Sequence, residues 1–162
     1  MNLKLAVFGV VIASLLFADQ AQAQTLGNKL RGINQISLLI EQLDDATKAC
    51  QITDALIQSA FMYPASGARF VVVKTSINVP NMYFNIVTVR PNQICVSNID
   101  MLLYVDQEVK LKASNRDIYA VIQLWTGGSI RSSANGQHAQ AVRDTIERVT
   151  KKFITDWNLD NK

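Results

Sequence analysis

The feature that most constrains the fold of this chain is a long amphipathic segment near its C-terminal end. Over residues 136–157, apolar side chains recur at spacings of three and four, so they share one face of a helix. These side chains are Ala139, Val142, Ile146, Val149, Phe153 and Trp157. Because such a stripe must be buried, and because the residues before it favour strands, we expect this helix to cover a β-sheet.

Strand-forming segments precede the helix. Alternating or β-branched residues predict strands over residues 35–43, 69–77, 82–89, 94–111 and 117–125. A short helix is predicted after the first strand, from Thr53 or Asp54 to the residue before Pro64. Gly127-Gly128 is interpreted as a tight turn after the last strand, with positive φ.

The fold class that follows is α+β. Strands joined by short turns are antiparallel neighbours, so we expect an antiparallel sheet of about five strands. The two helices, a short one after strand 1 and a long C-terminal one, would lie on one face of this sheet. The prediction is therefore a two-layer sandwich.

The N-terminal residues have the pattern of an export signal. A positive charge at Lys4 precedes an apolar run over residues 5–18, and small residues follow in Ala21-Gln22-Ala23. The apolar run would span only about 21 Å as a helix, against about 30 Å of hydrocarbon. We therefore predict a cleaved signal peptide rather than a membrane anchor, with cleavage between Ala23 and Gln24 and a periplasmic or secreted product without stable membrane insertion.

Length and charge restrict the organisation further. We divide the chain into a signal peptide (residues 1–23), a flexible N-terminus (24–34) and a single α+β domain (35–162). The formal net charge of +3 is too small to favour a nucleic-acid partner.

Two cysteines, Cys50 and Cys95, lie in the mature part of the chain. An even number of cysteines in an exported protein favours a disulfide, which here would close a long loop. The alternatives are two buried free thiols or a redox pair, although a redox pair usually has the close C-x-x-C spacing that is absent here.

The chain offers few residues for chemistry. Its only histidine, His138, falls in the first turn of the long helix, where we expect it to be solvated, and there is no G-x-S-x-G motif. One histidine and two bridged cysteines are too few ligands for zinc. The acids Asp100, Asp106, Glu108 and Asp117 are spread along strands and turns. We therefore predict no catalytic residue, metal site or cofactor.

The second face of the predicted sheet is more apolar than solvent exposure would favour. Tyr83, Tyr104, Tyr119 and Trp125 are the candidate partner-binding residues on this face. One interpretation is that edge loops or sheet curvature cover these residues. The other is an exposed aromatic patch that binds a protein partner or a second copy of the chain.

The function predicted from these observations is an exported, non-enzymatic binding or assembly module. The alternatives are a small cell-envelope hydrolase that uses acids such as Asp100 and Asp117, and a carrier of a small apolar ligand between sheet and helix. The order of elements and the export signal resemble the small α+β modules of periplasmic accessory proteins, such as the N-terminal domain of TolB. This resemblance is one of architecture, and it assigns no residues.

Overall fold

The computed structural model describes residues 28–74 and 79–162. The predicted signal peptide and its cleavage site after Ala23 lie outside the described residues. The elements, in chain order, are β1 Gln35–Ile40, α1 Asp45–Ala49, α2 Asp54–Ala65, β2 Val71–Val73, β3 Asn81–Val89, β4 Ile94–Leu111, β5 Arg116–Ala134 and α3 Asn135–Asp160. The strands form one five-stranded sheet, and α2 and α3 pack together over one of its faces. The predicted α+β sandwich is confirmed.

The sheet is mixed, whereas the sequence predicted an antiparallel one. Its strand order is β2-β1-β3-β4-β5, and β1 runs parallel to both of its neighbours. The sequence predicts that the strands over residues 69–77 and 82–89 pair as antiparallel neighbours, but β2 and β3 lie on opposite sides of β1. The helices between β1 and β2 return the chain to the end where it started, which makes these two strands parallel.

β5 is much longer than predicted, because it continues through Gly127-Gly128 as far as Ala134. The predicted turn at these glycines is wrong. Their role is to provide space: a Cβ at Gly127 would lie 2.9 Å from Val149 Cγ1 of α3. A Cβ at Gly128 would lie 2.5 Å from the carbonyl oxygen of Ile99 on the neighbouring strand.

A bulge interrupts the pairing of β4 with β5. Leu103 pairs with Trp125, while Tyr104 pairs with Gln123, so Leu124 is the extra residue. One extra residue reverses which face of the sheet the following side chains point to. The bulge therefore separates β5 into two halves with opposite alternation.

The core lies between the sheet and the helices. Phe61 of α2 packs edge-on against Phe84 of β3, with ring centroids 5.6 Å apart. Phe153 of α3 packs against Phe70, which precedes β2, at 5.6 Å. The apolar stripe predicted for the long helix is buried at Val142, Ile146, Val149, Phe153 and Trp157.

The N-terminal residues that the structure describes are docked against the end of α3. Leu30 is buried, and its backbone N–H donates to the Asp160 carboxylate at 3.0 Å. The indole N–H of Trp157 donates to the carbonyl of Ile33 at 2.8 Å. These contacts tie residues 28–34 to the last turn of the chain.

The predicted disulfide between Cys50 and Cys95 is present, and both residues are fully buried. It joins the end of α1 to the beginning of β4. Such a bond persists in an oxidising compartment. Among the described residues, no helix is both long enough and apolar enough to cross a bilayer.

Candidate functional site

The face of the sheet opposite the helices carries many exposed apolar side chains, and we call it the open face. Along β3, and along β4 as far as Leu103, every second residue is buried under the helices, and the residues between them point to the open face. No described helix covers this side of the sheet. The apolar residues exposed there are Leu39, Val71, Val87, Val89, Ile94, Tyr119, Val121 and Ile130.

One group on the open face, which we call the tyrosine cluster, consists of Leu39, Tyr83, Leu102 and Tyr104. Leu39, Tyr83 and Leu102 occupy one row across three strands. The rings of Tyr83 and Tyr104 pack edge-on with centroids 6.4 Å apart. This geometry is a favourable one for aromatic pairs.

The tyrosine hydroxyls have different surroundings. The Tyr83 hydroxyl donates to the Glu41 carboxylate, and this hydrogen bond is the main cause that raises the pKa of Tyr83 to about 12. Burial raises the pKa of Tyr104, with a further contribution from the charge of Asp106. Both phenols are therefore neutral donors near neutral pH, and Glu41 holds the Tyr83 ring in one orientation.

A second group, the valine cluster, lies at the other end of the open face. It consists of Val87, Val89, Val96 and Ile130, and three of these side chains are more than half exposed: Val87 52%, Val89 59% and Ile130 68%. A polar row separates it from the tyrosine cluster. Asn85, Asp100 and Gly128 make up this row, and Asp100 accepts a hydrogen bond from Asn98 at 2.5 Å. The sequence reasoning missed Val89, Val96 and Ile130, which the alternation along β3, β4 and β5 indicates once the register is known.

Tyr119 lies apart from the other tyrosines. It is 73% exposed and pairs with Glu108, four residues along β4 from Tyr104. That separation corresponds to roughly 13 Å along a strand. The structure thus brings together Tyr83 and Tyr104 and leaves Tyr119 at the far end of the same face.

Trp125 does not belong to the open face, which corrects the sequence prediction. It is 9% exposed and packs edge-on against Phe153, with centroids 5.2 Å apart. Its indole N–H donates to the Asp156 carboxylate at 2.8 Å, and Lys152 lies 5.8 Å from the ring. The bulge at Leu124 is the physical reason, because it turns Trp125 towards the helices while Tyr119 faces the other way.

His138 is fully buried, whereas the sequence predicted a solvated side chain. Its Nε2 lies 2.8 Å from the Ser97 hydroxyl and its Nδ1 lies 2.7 Å from the Ser133 hydroxyl. Ser97 is in turn 2.7 Å from Thr88. Burial lowers the pKa of His138. This network satisfies the imidazole within the core and offers a substrate no access, so its role is structural.

Asp100 and Asp117, the two acids named for a hydrolase, are far apart. Asp117 pairs with Lys110, which is ten residues along β4 from Asp100. This separation corresponds to roughly 33 Å, whereas paired carboxylates of glycosidases are about 5–9.5 Å apart. Within the described ranges, no three side chains among His, Cys, Asp and Glu gather as metal ligands.

A groove lies between α2 and the β1–β2 edge of the sheet, on the helix side. Its volume is about 580 Å³. Leu38, Ile40, Met62, Val72 and Val73 form apolar walls, and Asp54, Gln58 and Lys74 form a polar rim. The size falls within the range of small-molecule sites, about 300–1,000 Å³.

No protein-family model matches this chain, and no curated protein matches it. Among solved structures, the chain shows similarity to the crystal structure of the rare lipoprotein B from Shewanella oneidensis. The identity is 7%, the match covers 77% of this chain and 91% of that chain, and the TM-score is 0.28. A likeness this weak places no constraint on the fold or the activity.

Proposed function

We propose that the protein is an exported, non-enzymatic binding or assembly module that captures a protein partner on the open face of its sheet. The proposed location is the periplasm or the extracellular space. The observation that carries this proposal is the presence of two apolar clusters on a sheet face that no described helix covers: the valine cluster is largely exposed and the tyrosine cluster is partly exposed. A sheet face in contact with water is ordinarily polar.

The composition of the open face fits a protein partner. Tyrosines are enriched at interfaces because their rings provide contact area and their hydroxyls provide hydrogen bonds. Each apolar side chain that a partner covers fully adds about 1.5–3 kcal/mol of burial free energy before the costs of association. The tyrosine and valine clusters together place eight side chains on this face.

The rigidity of the tyrosine cluster also supports binding. Tyr83 is fixed by its hydrogen bond to Glu41 and by its packing against Tyr104. A side chain already held in its bound conformation loses little entropy on association. The polar row between the clusters offers the Asp100 carboxylate, so a fitting partner has a hydrogen-bond donor between two apolar contacts.

The test is crosslinking of the tagged protein in its native envelope, followed by mass spectrometry of the captured proteins. We expect one reproducible partner, and we expect the Tyr83→Ala/Tyr104→Ala variant to lose at least tenfold in capture, the equivalent of about 1.4 kcal/mol. Tyr63→Ala is the matched control, because Tyr63 is 71% exposed but lies on α2.

Thermal unfolding of both variants separates binding from stability. Loss of capture with a nearly unchanged melting temperature supports the proposal. Capture that survives in the Tyr83→Ala/Tyr104→Ala variant would show that the open face is not the binding surface.

A second candidate function is transport of a small apolar ligand in the groove beside α2, which the groove's size and apolar walls favour. Native mass spectrometry of the purified protein is expected to show a co-purified small molecule that is lost in the Met62→Lys variant. A mass equal to that of the bare chain would argue against this function.

A further inference from the structure

β5 forms an edge of the sheet and has little protection against pairing with another strand. It is 19 residues long, and within the described part of the chain it pairs only with β4. From Ile118 to Ile130 it contains no charged residue and no proline. Edge strands of monomeric proteins are usually short, charged, bulged or covered. β5 has a bulge at Leu124, but no described strand pairs with its outer edge on either side of the bulge.

The part of β5 before the bulge belongs to a two-stranded ribbon, in which residues 116–123 pair with residues 104–111. The ribbon is roughly 24 Å long. Every residue from Lys110 to Tyr119 is exposed. An isolated two-stranded ribbon is only marginally stable in water, and three or more strands are ordinarily needed. An additional strand along the free edge would therefore stabilise the ribbon.

The apolar residues of this edge are arranged symmetrically about Ala120. The residues are Asp117, Ile118, Tyr119, Ala120, Val121, Ile122 and Gln123. If a second copy pairs antiparallel about a two-fold axis at Ala120, Ile118 of one copy faces Ile122 of the other, and Tyr119 faces Val121. Directly opposed residues of an antiparallel pair point to the same face of the sheet. Ile118 and Ile122 therefore share one face, and Tyr119 and Val121 share the other.

This register creates only favourable or neutral cross-strand neighbours. The β-branched pair Ile118–Ile122 and the aromatic pair Tyr119–Val121 belong to the types that stabilise antiparallel sheets. Asp117 would face Gln123, so no two like charges are directly opposed.

We propose that β5 pairs with β5 of a second copy of this chain, antiparallel and centred on Ala120. The two five-stranded sheets then form one continuous sheet, and the two open faces become one surface. The interface uses the edge of the sheet rather than its open face, so it does not rest on the proposed function. Seven opposed residues per strand make a small interface, below about 1,200 Å², and a reversible dimer is expected.

The test is sedimentation velocity of the full mature, oxidised protein at concentrations from about 1 µM to 1 mM. The wild-type protein is expected to shift from monomer to dimer over this range. Ala120→Lys and Ala120→Glu place like charges opposite each other at the two-fold axis, so each variant alone is expected to associate at least tenfold more weakly. An equal mixture of the two variants is expected to regain the dimer, because lysine then faces glutamate.

Gln107→Lys is the matched control. Gln107 pairs with Ala120 inside the monomer and lies on the same side of the ribbon, but on β4 rather than at the edge. This variant is expected to dimerise like the wild type. Recovery of the dimer in the mixture also shows that both charged variants are folded.

Three results would overturn the proposal. The first is a wild-type protein that stays monomeric at every concentration. This result overturns the proposal even if Ala120→Lys abolishes capture of a different protein, because the edge strand would then bind that protein rather than a second copy. The second is a dimer that Ala120→Lys leaves unchanged but Tyr83→Ala disrupts, which would place self-association on the open face. The third is a mixture of the two charged variants that remains monomeric, because the register centred on Ala120 predicts that lysine and glutamate attract each other in a mixed dimer.

Discussion

Replacement of Trp125 by alanine tests the most consequential assignment of a side chain in this structure. If the bulge at Leu124 turns Trp125 towards α3, the change removes a core residue. If Trp125 instead lay on the open face with Tyr119, the change would remove only a surface residue. The two arrangements predict very different effects on the free energy of unfolding.

The magnitude follows from the contacts of Trp125. The indole is 9% exposed, packs against Phe153 at 5.2 Å, and donates a hydrogen bond to Asp156. Removal of a buried tryptophan side chain costs about 3–5 kcal/mol. For a domain of this size we expect the melting temperature to fall by roughly 10–20 °C.

The assay is equilibrium unfolding in urea, followed by circular dichroism, because the variant also loses a fluorescent side chain. Tyr119→Ala is the matched control, since Tyr119 is 73% exposed on the same strand beyond the bulge. Its substitution is expected to change the free energy of unfolding by no more than about 0.5 kcal/mol.

A Trp125→Ala variant that loses less than about 1 kcal/mol would refute this reasoning, because a surface substitution has that size. Similar losses in both variants would likewise contradict the assignment of the two side chains to opposite faces.

Two further predictions concern groups in the core. As pH falls below 6.5, His138 is expected to lower the free energy of unfolding by at most about 1.4 kcal/mol per pH unit, because the unfolded chain binds a proton at the ordinary histidine pKa of 6.5 while burial lowers the pKa of His138 in the folded state. Urea unfolding at several pH values is expected to show this slope in the wild type and a flatter one in His138→Gln; equal slopes would contradict it. Joint replacement of Cys50 and Cys95 by serine opens a loop with a sequence separation of 45 and is expected to cost roughly 4 kcal/mol. An unchanged urea midpoint would show that the disulfide does not stabilise the fold.

The two proposed surfaces are compatible with each other. Pairing along β5 leaves the tyrosine and valine clusters of both copies exposed on one side of the joined sheet. A partner that spans this joined sheet contacts both copies, which increases its apparent affinity through the high effective concentration of the second site.

Local patterns in the sequence were sufficient for several features. The spacing of apolar residues predicted the burial of α3, and the strand predicted over residues 94–111 coincides with β4. The disulfide was predicted from the presence of two cysteines in a chain with the pattern of an export signal. These features depend on the periodicity of neighbouring residues or on simple chemistry, so they can be predicted without knowledge of the tertiary structure.

Only the tertiary structure decided which faces and partners these elements share. The bulge opposite Leu103 and Tyr104 sends Trp125 to the core and Tyr119 to the surface, although simple alternation places them together. His138 is buried because two strands carry Ser97 and Ser133 beneath the first turn of α3. Strand order, register and bulges arise from contacts between residues that are distant in sequence, and a local sequence pattern does not predict those contacts.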